Sequence, residues 1–360
     1  MNILILTGRF GMGHYSAANA IKEEIESCYY DMKIDIVDIV EYLVPETSQY
    51  VYGSFEVLVS KFGNIYNFFN KVMGQKCIVP LKGKFISKID KLIDEYSPDI
   101  IISTLPISSQ YISTYKMVKK INIPLITYIT DISWHDEWIA QNTNYYFVGS
   151  IKVKEELIKK GIDKEKIKVS GIPVKGKFKV NGKIYNSSLK KNLLIMGGGL
   201  GLIEFDNELF KRLNYEEHIK TTVVTGNNKK MYNFIKENYK NLEVVGYINN
   251  VDEYMKKSDL ILSKAGGITL YEAIYSEVPM YVVKPFLVQE VRNAEYIEDE
   301  RIGRVVWNKE EEVVEDIISL LNDNKEIVNM RINMKNIKNI KKSFDVDSIN
   351  LIIDRYRKGA

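Results

Sequence analysis

The sequence predicts an α/β protein with two doubly wound lobes, each a parallel sheet covered by helices on both faces. Its 360 residues exceed the usual size of one domain and favour two. Short apolar runs without polar alternation recur between segments of helical spacing, which is typical of strands buried on both faces. Glycine, proline, lysine and asparagine interrupt this pattern at residues 170–192. We therefore expect a first lobe at 1–170, a second lobe at 171–340 and a cleft between them.

The individual strands follow from the apolar runs. In the first lobe they are predicted at 2–6, 34–39, 99–104, 124–129 and 145–148. In the second lobe they are predicted at 193–196, 221–225, 242–246, 259–263, 279–283 and 303–306.

The end of the chain carries a different pattern. Ile349, Ile352 and Ile353 recur at helical spacing, which predicts an amphipathic helix within residues 341–360 that packs back on a lobe. The sequence Asp345-Val-Asp347 precedes these isoleucines, and we interpret it as the cap of that helix.

Composition bounds the class of protein. The chain is 45% hydrophobic and 27% charged, as expected of a globular protein, and its net charge of +3 gives no reason to expect a nucleic-acid partner. The two cysteines, Cys28 and Cys77, are too few for a disulfide framework and predict a cytoplasmic location. No run of about 18 apolar residues occurs, so any membrane contact is expected to be peripheral.

Histidines and tryptophans concentrate after two predicted strands of the first lobe. The loop "TGRFGMGH" places Gly11, Gly13 and His14 between the first strand and a helix, and "TDISWHDEW" follows the fourth strand. The second loop contains Asp131, Trp134, His135 and Trp138. The chain has three histidines in total, and the third, His218, falls in a surface-type helix. Two histidines at strand ends of one lobe favour acid–base chemistry over a structural role.

Glycine-rich segments of the second lobe can receive a phosphate. In "SKAGGITLYEA", Gly266 and Gly267 precede a helix start whose backbone N–H groups and dipole favour a diphosphate, with the Thr269 hydroxyl as a further donor. Glu272, one turn on, can accept from ribose hydroxyls. The alternative is a capped helix with glycines for tight packing. Neither this segment nor "GGGLG" has the spacing of a dinucleotide fingerprint or a P-loop, which disfavours a nicotinamide enzyme or an NTPase.

Two further segments carry polar or aromatic clusters. In "KPFLVQEVRNAEYI", Gln289, Glu290 and Asn293 follow a strand end and suit sugar hydroxyls.

Residues 50–92 combine aromatic and basic side chains, which is typical of an interfacial membrane contact. The alternative for residues 50–92 is a helix pair with its aromatics in the core. The predicted membrane or acceptor contacts there are Phe68, Phe69, Lys82, Lys84 and Lys88.

Taken together, these segments resemble a known family. The motifs "GMGH", "SAANAI", "TDISWHDEW", "VSGIPV", "GGGLG", "GYINNVDEYMKKSDLILSKAGGITLYEA" and "QEVRNAEYI" occur in order over about residues 1–310. They are similar to the monogalactosyl- and glucosyl-diacylglycerol synthases, which are inverting glycosyltransferases of family 28. The resemblance implies a GT-B fold with an acceptor-binding, membrane-facing first lobe and a UDP-sugar-binding second lobe.

The resemblance also implies roles for residues that match the motifs. The diphosphate would meet Gly266, Gly267, Ile268 and Thr269, and the ribose would meet Glu272. The uracil of UDP would lie near Gly246, Tyr247 and Ile248. The donor sugar would lie near Gln289, Glu290 and Asn293, and Gly199 would also contact the donor. Gly13, Trp134 and Trp138 would contact the acceptor or the membrane. His14, Asp131 and His135 would be catalytic. Arg9, Phe10 and Met12 depart from the family's usually more glycine-rich opening loop.

The expected reaction is transfer of a hexose from a UDP-sugar to a lipid, most simply diacylglycerol, at the inner face of the cell membrane. His14 is the leading candidate for the base, with Asp131 or His135 as orienter or alternative base. A helix start would stabilise the leaving UDP, so no metal cofactor is expected. The sequence leaves UDP-glucose and UDP-galactose open as donors. Two other functions remain: a UDP-sugar 2-epimerase of the same fold, and a non-catalytic UDP-sugar sensor.

Overall fold

Two parallel six-stranded sheets organise the chain in the computed structural model, and the predicted fold class is confirmed. The structure describes residues 1–10, 12–61, 82–133, 135–180, 190–197, 207–308 and 313–359. It divides into two compact units. The first comprises Met1–Gly176, Leu287–Gln289 and Lys341–Ala360, and the second comprises Lys177–Phe286 and Glu290–Ile340.

The first sheet has the strand order β2-β1-β3-β4-β5-β6, with every neighbouring pair parallel. Its strands are β1 (Asn2–Thr7), β2 (Lys33–Asp38), β3 (Ile100–Ser103), β4 (Leu125–Tyr128), β5 (Tyr145–Val148) and β6 (Ile167–Val169). β3 and β4 are buried throughout, as expected where helices cover both faces of a parallel sheet. The order reverses at β1, whose neighbours are β2 and β3, so a ligand is expected outside the carboxyl ends of β1 and β3.

Helices of the first unit connect these strands. They are α1 (Gly13–Cys28), α2 (Ile39–Leu43), α3 (Ser48–Lys61), α4 (Lys82–Tyr96), α5 (Pro106–Lys119) and α6 (Ile151–Lys159). Ala17, Ala18, Ala20, Ile21 and Ile25 form the buried stripe of α1. The spacing of this stripe is the apolar periodicity seen in the sequence, and it packs the helix against the sheet. α1 therefore holds its first turn at the carboxyl end of β1.

The second sheet has the order β12-β11-β10-β7-β8-β9. Its strands are β7 (Lys191–Met196), β8 (Ile219–Val224), β9 (Glu243–Val245), β10 (Leu260–Ser263), β11 (Met280–Val283) and β12 (Gly303–Val306). Its order reverses between β7 and β10, so the loops after these two strands flank the expected ligand position. The remaining helices are α7 (Gly176–Lys179), α8 (Asn207–Tyr215), α9 (Lys229–Asn238), α10 (Val251–Lys257), α11 (Gly267–Ser276), α12 (Val288–Asp299), α13 (Val313–Asn322) and α14 (Asn324–Gly359).

All eleven predicted strands occur, with bounds that differ by at most two residues from the apolar runs. The sequence analysis missed β6, a three-residue strand at the edge of the first sheet. Lys168 stands in its middle, so the segment "IKV" has too little apolar length to predict a strand.

The last helix differs from its prediction. α14 runs without interruption from Asn324 to Gly359, so Asp345 and Asp347 lie inside a helix and do not cap one. No proline or glycine occurs between residues 324 and 358 to end the helix earlier. Ile352 and Ile353 are buried in the core of the first unit, against the face of the sheet that carries Ile3 and Ile5. Within the described ranges, no helix is both long and apolar enough to cross a membrane.

Gly303 allows β12 to pair closely with β11, and its replacement gives a test of the second unit's packing. A Cβ at Gly303 would overlap the backbone carbonyl of Met280 and lie 2.8 Å from Ile297 Cγ2. We expect Gly303→Ala to lower the free energy of unfolding by about 3 kcal/mol, because rigid backbone cannot move aside.

The matched control is Gly53→Ala, in the exposed face of α3. A Cβ at Gly53 would meet no atom within 4 Å, so this variant should be stabilised by about 0.5–1 kcal/mol. Urea unfolding of both variants measures the difference. Equal stabilities would contradict the packing described for β11 and β12.

Candidate active site

The opening loop of the first unit lies at the point where the strand order of its sheet reverses. It follows β1 and leads into α1, and β3 ends beside it. A Cβ at Gly8 would lie 2.9 Å from Leu105 Cδ2 and 3.3 Å from the Tyr52 hydroxyl, so only glycine lets the loop leave the strand this closely. The loop therefore brings the start of α1 against residues that follow β3.

His14, the second residue of α1, is held by hydroxyl groups from neighbouring strands. Its Nδ1 lies 2.8 Å from Thr130 Oγ1, at the carboxyl end of β4. The Thr104 hydroxyl, after β3, donates to the backbone carbonyl of His14 at 3.1 Å and lies 2.9 Å from the Thr7 hydroxyl at the end of β1. Strands β1, β3 and β4 are adjacent, so the parallel register places these three hydroxyls together. Sequence reasoning missed all three threonines.

The environment of His14 keeps its imidazole neutral. The pKa of His14 is lowered from 6.5 to about 4. Burial is the main cause and the nearby His135 also lowers the pKa, while a hydrogen bond with the backbone of Thr104 raises it. At neutral pH the ring therefore carries one proton and one lone pair, as a general base requires.

The two histidines predicted to be catalytic both lie near one tryptophan. The Trp138 ring centroid lies 6.2 Å from that of His14 and 6.0 Å from that of His135. The His135 side chain is 43% exposed, and its Nδ1 lies 3.7 Å from a Glu137 carboxylate oxygen. Partial burial lowers the pKa of His135, and Asp136 opposes the shift. The structure thus brings His14 and His135 into one site.

Two of the predicted acceptor contacts have different outcomes. Trp138 is 1% exposed and packs in a core cluster with Ile129 and Val153, so the prediction that it contacts the acceptor or the membrane is wrong. Its indole Nε1 has no hydrogen-bond partner among the described residues. Trp134 lies outside the described residues. Asp131 is half-buried and directly follows Thr130, which puts it at the same strand end as the His14 contact.

Two of the residues that depart from the family's opening loop, Arg9 and Phe10, belong to an internal network. The Tyr52 hydroxyl donates to Asp38 Oδ1 at 2.5 Å, and Asp38 also caps α2. Arg9 Nε lies 3.6 Å from Asp38 Oδ2, and an Arg9 terminal nitrogen lies 3.3 Å from Glu41. The Phe10 ring packs edge-on against Tyr52 at 5.0 Å between centroids. Arg9 and Phe10 therefore hold the opening loop against Asp38, Glu41 and Tyr52.

The lowered pKa of His14 predicts a dependence of stability on pH. The unfolded chain binds a proton at His14 near pH 6.5, and the folded chain binds it only near pH 4. Acidification through this window therefore favours the unfolded state, by at most about 1.4 kcal/mol per pH unit for one proton. We expect His14→Gln to lose less stability than the unchanged protein between pH 7 and pH 5, measured by urea unfolding. If the free energy of unfolding fell equally with pH in the two proteins, the neutral, buried state of His14 would be contradicted.

In the second unit, the predicted phosphate segment forms an uncapped helix start. α11 begins at Gly267, directly after β10, and Gly266 occupies the N-cap position with no side-chain hydrogen bond to the helix. The first N–H groups of a helix have no partner within the helix, so they are available to an anion. Thr269 and Glu272, both half-buried, lie in the first two turns. β10 lies beside β7, where the strand order reverses.

The Asn293 side chain holds the segment between β10 and α11. It is fully buried in α12, and its amide donates to the Ala265 carbonyl at 2.7 Å. The prediction that Asn293 faces the donor sugar is therefore corrected, because its side chain holds the residue before Gly266 in place. Gln289 and Glu290 are half-buried in the first turn of α12.

The remaining predicted donor contacts lie after β9 or outside the described residues. Gly246, Tyr247 and Ile248 follow β9, and Tyr247 is 58% exposed. Thr225, which follows β8, donates its N–H to the Val245 carbonyl at 2.9 Å and so holds the end of β9 next to the end of β8. Gly199 lies outside the described residues.

The aromatic and basic segment is only partly described. Phe68 and Phe69 lie outside the described residues. Lys82 and Lys84 fall in the first turn of α4. Lys88, one turn further, is half-buried and donates from Nζ to the Leu43 carbonyl at 2.5 Å, at the end of α2. Lys88 therefore makes a contact inside the protein, and its membrane or acceptor contact stays a prediction.

Solved structures with the same architecture define the class. The chain is similar to MurG of Acinetobacter baumannii, with a TM-score of 0.65, 12% identity, and 99% coverage of both chains. It is also similar to the UDP-GlcNAc 2-epimerase of Neisseria meningitidis bound to UDP-GlcNAc, with a TM-score of 0.60, 15% identity, and full coverage of both. The protein therefore has the GT-B fold, the architecture of nucleotide-sugar glycosyltransferases and of these epimerases.

Sequence relatives narrow the class to one family. Residues 14–174 match the monogalactosyldiacylglycerol (MGDG) synthase family, and residues 192–347 match the glycosyltransferase family 28 C-terminal domain. The chain is 31% identical to the processive diacylglycerol beta-glucosyltransferase of Bacillus subtilis, across 93% of this chain and 91% of that one. It is 32% identical to the Bacillus licheniformis enzyme of the same name, across 93% and 91%. The chain belongs to glycosyltransferase family 28, and it is a UDP-sugar-dependent glycosyltransferase.

Proposed function

We propose that the protein transfers glucose from UDP-glucose to diacylglycerol and inverts the anomeric configuration. The observation that carries this proposal is the match along 93% of the chain to relatives named processive diacylglycerol beta-glucosyltransferases. Two features of the structure support it: a neutral histidine at the ligand edge of the first sheet, and an uncapped helix start at the ligand edge of the second.

The proposed reaction is a single displacement at the anomeric carbon. The diacylglycerol hydroxyl oxygen forms a bond to that carbon from the face opposite UDP, and the bond between the carbon and the diphosphate oxygen breaks. His14 accepts the hydroxyl proton during this attack, which its neutral imidazole permits. UDP leaves with the bonding electron pair. Because attack and departure lie on opposite faces, an α-linked donor gives a β-linked product.

The leaving diphosphate is proposed to be stabilised by the start of α11. Backbone N–H groups of Gly267, Ile268 and Thr269 meet the developing charge together with the positive end of the helix dipole. We therefore expect the initial rate to be unchanged by an excess of EDTA, which removes divalent metal ions. A rate lost in EDTA and restored by added Mg²⁺ would contradict this role of α11.

Contact with the cytoplasmic face of the membrane is proposed for the start of α4. Lys82 and Lys84 begin this helix, directly after the aromatic and basic stretch of the sequence. The double variant Lys82→Glu/Lys84→Glu should bind anionic liposomes more weakly than the unchanged protein in a sedimentation assay. The control Lys229→Glu/Lys230→Glu makes the same change in net charge at exposed positions of the second unit. Equal loss in both double variants would show a general charge effect and contradict a specific contact.

The proposed reaction is tested by a donor panel. UDP-glucose, UDP-galactose and UDP-N-acetylglucosamine are each supplied with and without diacylglycerol in anionic liposomes, and UDP release is measured. The proposal predicts release that needs diacylglycerol and is fastest with UDP-glucose. Lipid-dependent release that is fastest with another sugar would contradict the proposed donor. Conversion of a UDP-sugar to its 2-epimer with no lipid would contradict the transferase and favour the epimerase reaction of the structural neighbours.

A further inference from the structure

Thr130 occupies a rigid position next to the proposed base. It follows β4 and is 3% exposed. The preceding residue, Ile129, donates its N–H to the Phe147 carbonyl of β5 at 2.9 Å, which fixes the backbone at this point. Thr130 Oγ1 lies 2.8 Å from His14 Nδ1. A β-branched side chain has few accessible rotamers, so this hydroxyl has little freedom to leave the ring nitrogen.

The backbone of His14 is held independently of its ring. The Thr104 hydroxyl, itself fully buried after β3, donates to the His14 carbonyl at 3.1 Å. The Thr104 hydroxyl fixes the helix turn, and the ring is held by Thr130 and by the backbone of Thr104. Together these contacts determine the position and the rotation of the imidazole. The Trp138 ring limits it further, at 6.2 Å between centroids.

We propose that Thr130 is a positioning residue that sets the tautomer of His14, an inference that rests on the proposed role of His14 as base. Nδ1–H donates to Thr130 Oγ1, which leaves the lone pair on Nε2 to accept the proton of the attacking hydroxyl. A hydroxyl can donate or accept, so the proposal assigns the accepting role to Thr130 Oγ1. In a neutral histidine, the proton then lies on Nδ1 and the lone pair on Nε2. The opposite polarity, with Thr130 donating to Nδ1, would put the proton on Nε2 and block the base.

The first test compares Thr130→Val with Thr130→Ser. Valine keeps the shape of threonine and removes the hydroxyl, so the tautomer of His14 is no longer set. We expect kcat to fall by roughly 10- to 1,000-fold, less than the roughly 10⁴-fold loss for a catalytic histidine held in the wrong tautomer, while KM for the UDP-sugar stays the same. Serine retains the hydroxyl and should recover most of kcat. The matched control is Thr221→Val, a buried threonine of β8 whose hydroxyl has no hydrogen-bond partner among the described residues. It should leave kcat unchanged. Full activity in Thr130→Val would overturn the proposal.

A second test separates this role from a structural one. If Thr130 acts through His14, then adding Thr130→Val to His14→Ala should cause no further loss of kcat. A further loss similar to that of the single variant would overturn the positioning role. If His14→Ala itself keeps full activity, the proposed base is wrong, and that result is distinct from any effect of Thr130.

The tautomer is also directly observable in a protein that keeps Thr130 and His14. The chain has three histidines, so their ring nitrogens can be assigned by ¹⁵N NMR with single-histidine variants. The proposal predicts a proton on Nδ1 of His14 at pH 7. A proton on Nε2 would overturn it.

Discussion

Replacing His14 by alanine is expected to lower kcat by about 10²- to 10⁴-fold, because the attacking hydroxyl then loses its base. UDP binding should be unchanged, because the proposed contacts with UDP are made by α11 and Glu272 and not by His14. Steady-state kinetics gives kcat, and isothermal titration calorimetry gives the dissociation constant of UDP.

The control for this variant is His218→Ala. His218 is exposed before β8, so its removal should leave both kcat and UDP binding unchanged. A fall in kcat of less than threefold for His14→Ala, within ordinary variation, would contradict the assignment of the base and direct the search to Asp131 or His135.

Replacing Glu272 by alanine should affect the donor and leave the base intact. Glu272 lies half-buried one turn beyond Thr269 in α11, where its carboxylate is proposed to accept from the ribose hydroxyls. A hydrogen bond to a charged group contributes about 1.5–3 kcal/mol, so UDP should bind roughly 10- to 150-fold more weakly. Calorimetry measures this directly, and KM for the UDP-sugar should rise with it.

The matched control is Glu253→Ala, which removes an exposed carboxylate from α10 in the same unit. It should leave UDP binding unchanged. If Glu272→Ala binds UDP as tightly as the control, the ribose contact is made elsewhere. If both variants weaken UDP binding equally, the effect is one of net charge in the second unit.

The strand ends of this protein were predictable because parallel sheets leave a strong signal in a sequence. Each buried strand is a short apolar run, and the polar residues that follow it lie at the ligand edge of the sheet. His14 after β1 and Gly266 after β10 were located in this way. The apolar stripe of α1 similarly predicted which face of the helix is buried.

The partners of these residues were less predictable, because they depend on which strands are neighbours. Thr104 and Thr130 follow β3 and β4, and they reach His14 only because β1, β3 and β4 are adjacent in the sheet. A hydroxyl residue directly after consecutive apolar runs is the signal that could have identified them. Strand order is a property of tertiary structure that the linear pattern does not contain.

Burial caused the other errors, at Trp138 and Asn293. Trp138 was predicted to contact the acceptor or the membrane, but it ends the 3₁₀ turn Asp136–Trp138 with its side chain buried in the core. The side chains of Asn293 and Lys88 donate hydrogen bonds to the backbone carbonyls of Ala265 and Leu43. Polar side chains that satisfy buried backbone look the same in sequence as those that bind a ligand.

The anomeric configuration of the product tests the central claim most directly. UDP-glucose and diacylglycerol are incubated with the protein, the lipid product is isolated, and proton NMR is used to identify its anomer. A β-glucosyl-diacylglycerol, formed about 10²- to 10⁴-fold more slowly by His14→Ala, is the result expected of a single displacement assisted by His14. An α-glucosyl lipid, or a UDP-sugar that returns epimerised with no lipid product, would contradict it.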